Sequence, residues 1–240
     1  MTRNSQASAL YGGRDPLDLP AYSVPQVSHY LQVPLATLRT WVLGRTYKCA
    51  SGEKFFQPLI KVADRQNAVV SFRNVVELHV LSAIRRRHKV QMPEVRRALV
   101  YLSRQLGIAH PLADQKMLTD GTDLLIEQYG RLLNISRNGQ LEMKEAIEVY
   151  LARVERDPDR LPIRFYPFTR PDITASPKLV VLNPRVQFGK PCIAGTGIPT
   201  SIIAERFKAG EDIRALSRDY GQSESKIDEA LRFEFASTAA

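Results

Sequence analysis

The strongest constraint on this chain's fold is a proline at position 34, set between two short apolar repeats of helical period. In AYSVPQVSHYLQVPLATLRTWVLGR (21–45), Val24, Val27, Tyr30 and Leu31 fall on one helical face. Ser23 is placed to cap that helix, and Pro25 suits its first turn. Pro34 disfavours α conformation at Val33, so the helix must stop there. A second helix starts at Pro34 with Leu35, Leu38, Trp41 and Val42 inward, which leaves Thr37, Arg39 and Thr40 facing out. Two short helices across a tight connection, the second showing Thr and Arg to solvent, match a helix-turn-helix.

Residues 47–72, YKCASGEKFFQPLIKVADRQNAVVSF, read as extended chain, with LIKV and AVVSF as strands joined by ADRQN. A hairpin at this point is a wing, with Lys61 and Arg65 at its tip in reach of a phosphate backbone. Ser71 is placed to cap FRNVVELHVLSAIRRRH, whose Val75, Val76, Leu78, Val80, Leu81 and Ile84 face inward. The arginines at 85–87 suit either the negative end of the helix dipole or phosphate contact. QMPEVRRALVYLSRQL (91–106) is a further amphipathic helix, stopped at Gly107.

Charge divides the chain. Its 240 residues carry a formal net charge of +9. Residues 1–110 hold 16 Lys/Arg against 6 Asp/Glu, and residues 111–240 hold 18 against 19. The whole excess lies in the first half, which suits a polyanion partner such as nucleic acid, or simply a solvated basic face. The 44% hydrophobic and 25% charged fractions are those of a globular protein. No apolar run approaches the roughly 18 residues of a membrane helix. The N-terminus lacks the apolar core of a secretory signal, so a cytoplasmic location is expected. Cys49 and Cys192 lie far apart with no His/Cys cluster, which argues against a disulfide scaffold or a metal site.

The middle of the chain reads as β-rich. DLLIEQ, RLLNIS and GQLEM are expected as antiparallel strands, the last two turned by Asn138-Gly139. A short helix, KEAIEVYLARVER, then ends at Asp157-Pro158, and RLPIRFYPF is an edge strand interrupted by prolines. Such a module suits packing or dimerisation. Residues 178–235 begin with a strand at Val180–Leu182 and end in three short helices, near 200–208 and 211–219 and after a cap at Ser223. Fold class is therefore α+β, mostly α. Residues 1–20 form a tail, 21–110 a winged helix-turn-helix, 111–177 a β-rich module and 178–240 a three-helix helix-turn-helix unit.

Between the last strand and its helices lies FGKPCIAGTGIPT (188–200). A Walker phosphate loop needs Gly, four residues, then Gly-Lys-Ser/Thr. Here the Lys precedes most of the glycines, and Pro191 removes a backbone donor. Pro199 likewise breaks a dinucleotide fingerprint. The stretch reads as a rigid turn, and no catalytic residues and no cofactor are expected. His29, His79, His88 and His110 are scattered, with no nucleophile–base or paired-carboxylate spacing around them.

Residues 22–106 resemble the MerR-like winged helix-turn-helix domain, on YSVPQVSHYLQVPLATLRTWV, the wing and the paired helices after it. The segment from Gly44 to Phe55 is longer than that family's usual linker. The resemblance implies Thr37, Arg39 and Thr40 in the major groove and Arg45, Lys61, Arg65 and Arg73 on the DNA backbone. Residues 180–232 resemble a small helix-turn-helix family long labelled a domain of unknown function. Its marks are Gly-Lys-Pro, Gly-Thr-Arg-Ile-Pro, a G-x-x-x-x-x-L-x-x-x-Y helix pair and a closing I-x-x-A-L. Gly197 stands where that family has Arg, which implies a lost contact and a more mobile loop.

Members of that family are commonly VapB-type antitoxins encoded beside a PIN-like ribonuclease. The combination here is similar to the longer antitoxins of that group. It implies a non-enzymatic protein that binds its own operator as a dimer, represses its operon and holds the toxin inactive by direct contact. Toxin contacts would fall on Ile198–Phe235, with Arg206, Phe207, Arg214 and Arg218 as candidates. Alternatively, Phe207 is core and those arginines are solvated. The alternative function is a stand-alone MerR-like transcriptional regulator with no toxin partner.

Overall fold

The computed structural model describes residues 13–50, 52–87, 92–118, 120–133 and 136–236. The chain opens with strand β1 (Tyr22–Ser23), helix α1 (Val24–Leu31) and helix α2 (Leu35–Leu43). Ser23 and Gln26 cap α1 reciprocally. The Ser23 hydroxyl accepts from the Gln26 amide at 3.4 Å, and the Gln26 side chain accepts from the Ser23 amide at 2.9 Å. Ser28 Oγ donates to the Val33 carbonyl at 2.7 Å and braces the connection. Val24, Val27, Tyr30, Leu31, Leu38, Trp41 and Val42 are buried, as the apolar spacing demands.

The wing lies earlier in the chain than the strand composition of LIKV and AVVSF suggests. Strands β2 (Arg45–Cys49) and β3 (Gly52–Phe56) form the hairpin, with Arg45 opposite Phe56 and Cys49 opposite Gly52. LIKV is not a strand. Leu59 and Ile60 are buried, and the Leu59 amide donates to the Trp41 carbonyl at 2.8 Å, so this stretch anchors the base of the wing. Of AVVSF, β4 (Val69–Val70) is a strand, and it pairs with β1.

Helix α3 (Phe72–Arg87) is the axis of the larger core. Val75, Val76, Leu78, Val80, Leu81, Ala83 and Ile84 are buried, and so are Asn74, Glu77, His79 and Ser82. A helix enclosed this completely needs neighbours on all sides. Its packed neighbours are α1, α6 (Arg137–Leu151) and the strand Pro162–Phe165, while α4 (Met92–Leu106) and α5 (Asp120–Leu133) pack on each other and complete the same core.

Helices α5 and α6 correct the β-rich middle module. DLLIEQ lies in α5, GQLEM lies in α6, and RLLNIS runs from the end of α5 into residues outside the described set. Asn138-Gly139 makes no hairpin, because Ser136 claims it: the Ser136 hydroxyl accepts from the Gly139 amide at 3.2 Å and caps α6. Met143, Ala146, Ile147, Tyr150 and Leu151 then fall inward at helical spacing. Of the strands expected here, PIRF alone is one, as β6 (Pro162–Phe165), paired with β5 (Val154–Arg156).

After this hairpin, Arg153 holds the chain. Its guanidinium is buried without a carboxylate and donates to the carbonyls of Tyr166, Ser176, Pro167 and Pro177 at 2.8–3.0 Å. Burial lowers its pKa to about 10.

The remainder builds a second, smaller core. Strand β7 (Val180–Val181) pairs with β8 (Cys192–Ile193), and helices α7 (Thr200–Lys208), α8 (Ile213–Tyr220) and α9 (Glu224–Phe235) follow. Ile193, Ile203, Ala204, Leu216, Ile227, Ala230 and Leu231 fill it. Phe233 on α9 instead packs on α1, with its ring 5.4 Å from His29 and 5.7 Å from Tyr30.

A titratable pair lies at the edge of the first core, with His110 partly exposed. Glu77 is buried and takes a hydrogen bond from His110 Nδ1 at 2.9 Å, with Asn74 donating at 3.1 Å. Burial pushes the Glu77 pKa up, and the bond to Glu77 pushes the His110 pKa above its ordinary 6.5. A raised histidine pKa stabilises the fold below the unfolded value, and that contribution is lost as pH rises through the folded value. The raised Glu77 pKa acts in the same direction. Thermal unfolding followed from about pH 6 to 9 should show a melting temperature that falls with pH, and a smaller fall in His110→Gln.

Candidate nucleic-acid interface and partner surface

Trp41 is 1% exposed and fixes how α2 rolls on the core. With Leu38, Trp41 and Val42 inward, Arg39 is exposed and Thr37 and Thr40 are half-buried on the outer side. Thr40 Oγ1 donates back to the Ala36 carbonyl at 2.9 Å, so its oxygen remains free to accept.

Gly44 takes the chain from α2 into the wing. Its φ of 81° lies in the left-handed region, and a Cβ there would collide with the Phe56 carbonyl and lie 2.7 Å from Phe55 Cζ. Directly after it, strand alternation puts Arg45 and Tyr47 on one face of β2. By register, Phe56 and Lys54 stand opposite them on β3. The Arg96 guanidinium from α4 lies 4.2 Å from the Phe56 ring centroid, and Arg85 from α3 lies 5.9 Å from that of Trp41. These elements enclose an open groove of about 890 Å³, lined by Thr37, Thr40, Trp41, Arg45, Tyr47 and Arg85 among others. Three separate elements thus bring hydroxyl side chains and guanidinium groups to one surface.

The structure does not bring every expected DNA residue here. Lys61 and Arg65 are exposed but lie outside the hairpin, because the wing ends at Phe56. Arg65 reaches the Leu43 carbonyl at 3.4 Å. Arg73 is occupied: it donates to both Asp18 oxygens at 2.7 and 3.2 Å and stands 3.6 Å from Asp15. Tyr47 and Lys54, which the sequence reading does not single out, stand opposite each other in the hairpin. The available signal was the alternation on either side of the turn near Gly52.

The C-terminal candidates also separate. Arg206 pairs with Glu211, its Nε donating to Oε1 at 2.6 Å, and its Nη1 is 2.6 Å from Asp219. It lies over the Tyr220 ring as well, so it is committed to its own unit. Phe207 is not core: it is 38% exposed and meets the 44% exposed Phe235 ring at 6.0 Å. Arg214 is exposed and 3.8 Å from Glu224, and Arg218 is exposed.

The glycine-rich stretch holds β8 and a tight turn. The Thr196 amide donates to the Ile193 carbonyl at 3.1 Å, and the Ile193 amide to the Ile198 carbonyl at 2.9 Å. Gly195 supplies the positive φ, 81°. Gly197 does not, and a Cβ there would meet only Gln187 Nε2 at 3.9 Å. The backbone accepts a side chain at position 197, and the turn around it is cross-braced.

No group of three or more His, Cys, Asp or Glu that could hold a metal ion occurs among the described residues. No described helix is long and apolar enough to cross a membrane.

Comparison with known proteins matches both ends of the chain. Residues 20–99 match a family described as "Putative DNA-binding HTH domain", and residues 180–233 match "Protein of unknown function (DUF433)". A Mycobacterium tuberculosis protein named "Putative antitoxin VapB45" is 32% identical over 232 residues, 89% of this chain and 93% of that protein. The chain belongs to the VapB antitoxin family. A second M. tuberculosis protein, "Uncharacterized protein Rv2308", is 24% identical and covers 90% of this chain and 91% of its own length. The crystal structure of Rv2018 from M. tuberculosis superposes with a TM-score of 0.65 at 25% identity, covering 90% of this chain and 99% of that one. This VapB-family chain therefore carries a DNA-binding helix-turn-helix unit in the segment that holds α1, α2 and the wing.

Gly44 sets the angle between α2 and the wing. Gly44→Ala should destabilise the chain by about 1–3 kcal/mol, read as a shift in the urea unfolding midpoint. An unchanged midpoint would show that the wing relaxes around the added methyl.

Proposed function

We propose that this chain is an antitoxin with two binding activities and no catalytic one. It represses its own operon by binding operator DNA, and it neutralises a cognate PIN-like ribonuclease by direct contact. The observation that carries the DNA half is the groove between α2 and the wing, where Thr37, Thr40, Arg45, Tyr47 and Arg85 converge. The domain division we propose places DNA binding in residues 21–110 and toxin binding in 178–240, with 111–177 packing the two together.

In this reading α2 enters the major groove and Arg39, with Thr37 and Thr40, meets base edges. Arginine suits this because its fork donates twice to guanine. Arg45, Lys54 and Arg85 meet phosphates on either side, and Tyr47 adds a hydroxyl. The excess of positive charge in residues 1–110 supplies the salt-dependent attraction. A helix-turn-helix dimer reads two half-sites one helical turn apart, so we propose that the repressing species is a homodimer in the cytoplasm.

Toxin binding rests on the family membership together with the exposed Phe207, Arg214 and Arg218. Arg206 contributes through its own unit, by holding α7 to Glu211 and Asp219. Co-expression with the nuclease encoded beside this chain tests this half. A co-purifying complex and relief of toxicity are expected, and absence of both refutes it.

Operator titrations separate the roles within the DNA half. Arg39→Ala should cost about 1–3 kcal/mol and relax discrimination at one base pair. Arg45→Ala and Lys54→Ala should weaken all sequences alike and reduce the slope of log K against log salt by about one each. Lys61→Ala should have little effect on DNA. Arg73→Ala should lower the unfolding midpoint modestly, because it removes a largely buried arginine and its pairs with Asp15 and Asp18, and leave the salt slope intact. Unchanged operator binding in Arg39→Ala, Arg45→Ala and Lys54→Ala would remove DNA from this groove.

A further inference from the structure

The turn between β7 and β8 holds a feature that the fold does not use. Gln187, Phe188 and Gly189 have φ of 49°, 53° and 82°, three successive residues in the left-handed region. Only glycine adopts that region freely, so Gln187 and Phe188 are held there at a cost. Phe188 is 83% exposed, the highest among the exposed large apolar side chains of the described residues.

The turn beneath Phe188 is firmly built. The Arg185 amide donates to Asn183 Oδ1 at 2.9 Å. The Val186 amide donates to the Asn183 carbonyl at 2.9 Å, Gly189 to Val186 at 2.9 Å and Lys190 to Gln187 at 3.1 Å. Gly189 is buried, and a Cβ there would collide with Tyr22 Oη on β1. The turn is thus clamped to the larger core, and its one large apolar side chain is turned to solvent.

Arg185 and Lys190 flank Phe188 and are exposed, and neither side chain forms an ion pair among the described residues. A rigid aromatic between two cations has the chemistry of an interface anchor: an apolar knob with flanking guanidinium and ammonium donors. Its complement is an apolar pocket with a carboxylate rim. Residues 180–233 carry 8 Lys/Arg against 7 Asp/Glu, so this unit lacks the surplus of positive charge that attracts nucleic acid. An apolar pocket with a carboxylate rim is a protein surface, and the near-neutral charge of the unit agrees with that.

We propose that the 183–190 turn is the anchor for the cognate toxin, with Phe188 entering an apolar pocket and Arg185 and Lys190 meeting acidic residues at its rim. This rests on the toxin-binding reading above, and it names the surface for it. An antitoxin gains from such an anchor because a side chain already fixed in place loses little entropy on binding.

The test uses the full chain and the nuclease encoded beside it, with affinity measured for wild type, Phe188→Ala, Phe188→Trp and the double variant Arg185→Glu/Lys190→Glu. Phe188→Ala should weaken the complex about tenfold or more, and Phe188→Trp should retain most of the affinity. The charge reversal should weaken it and flatten its salt dependence. Melting temperature and operator affinity should not move in any of them. Unchanged toxin affinity in Phe188→Ala and the double variant, with wild type binding normally, would overturn the turn as anchor and leave the antitoxin reading standing. The anchor is equally overturned if Phe188→Ala weakens only operator binding. No complex with wild type would overturn both readings.

Discussion

The burial of Trp41 is the constraint on which the proposed DNA surface depends. α2 has only nine residues and no side-chain cap at its start, so its own propensity does not hold it. Tertiary contacts do, and the largest of them is the indole. Its ring fixes the roll of the helix, and the Trp41 carbonyl takes the Leu59 amide that closes the base of the wing. Arg85 lies above the same ring. One buried residue thereby sets which side chains of α2 face out, where the wing begins and where a cation from α3 stands beside them. Gly44 completes the arrangement, because its left-handed φ turns the chain directly from helix into hairpin.

Much of this is legible in the sequence, for physical reasons that differ between segments. Ser23, Pro25 and Pro34 are local signals, and they place α1 and α2 correctly. The C-terminal helices are legible for the same reason, with Asp212 and Ser223 as caps and Gly221 in a left-handed closing position. The wing is harder to place, because LIKV has strand composition while its Leu59 and Ile60 serve as an apolar anchor. The middle misleads differently. Asn138-Gly139 is a strong hairpin signal, but Ser136 makes it the first turn of a helix, and the inward set from Met143 to Leu151 has the helical period. The expected hairpin and the family resemblance assign Lys61, Arg65 and Arg73 to DNA. Their actual surroundings are set by long-range contacts, such as Arg73 with Asp18, that no local pattern reports.

Several contacts join the two cores, among them the β7–β8 pair and the buried Glu229 of α9, to which Arg170 Nη2 donates at 2.6 Å. Phe233 reaches from α9 onto His29 and Tyr30 of α1, and Gly189 packs on Tyr22 just before α1. Both contacts fall on the segment that precedes and supports α2. In our reading toxin and operator therefore address surfaces that share α1 as a support. The glycine-rich stretch has a structural role within this. It contributes β8, a braced turn and the left-handed Gly189 and Gly195.

Hydrogen–deuterium exchange on the full chain, with and without operator DNA, tests the central claim most directly. DNA bound in the groove between α2 and the wing should slow exchange across residues 35–56 and leave 183–190 and 200–235 unchanged. Protection of 200–235 with 35–56 unchanged would contradict it and transfer DNA binding to the C-terminal helices.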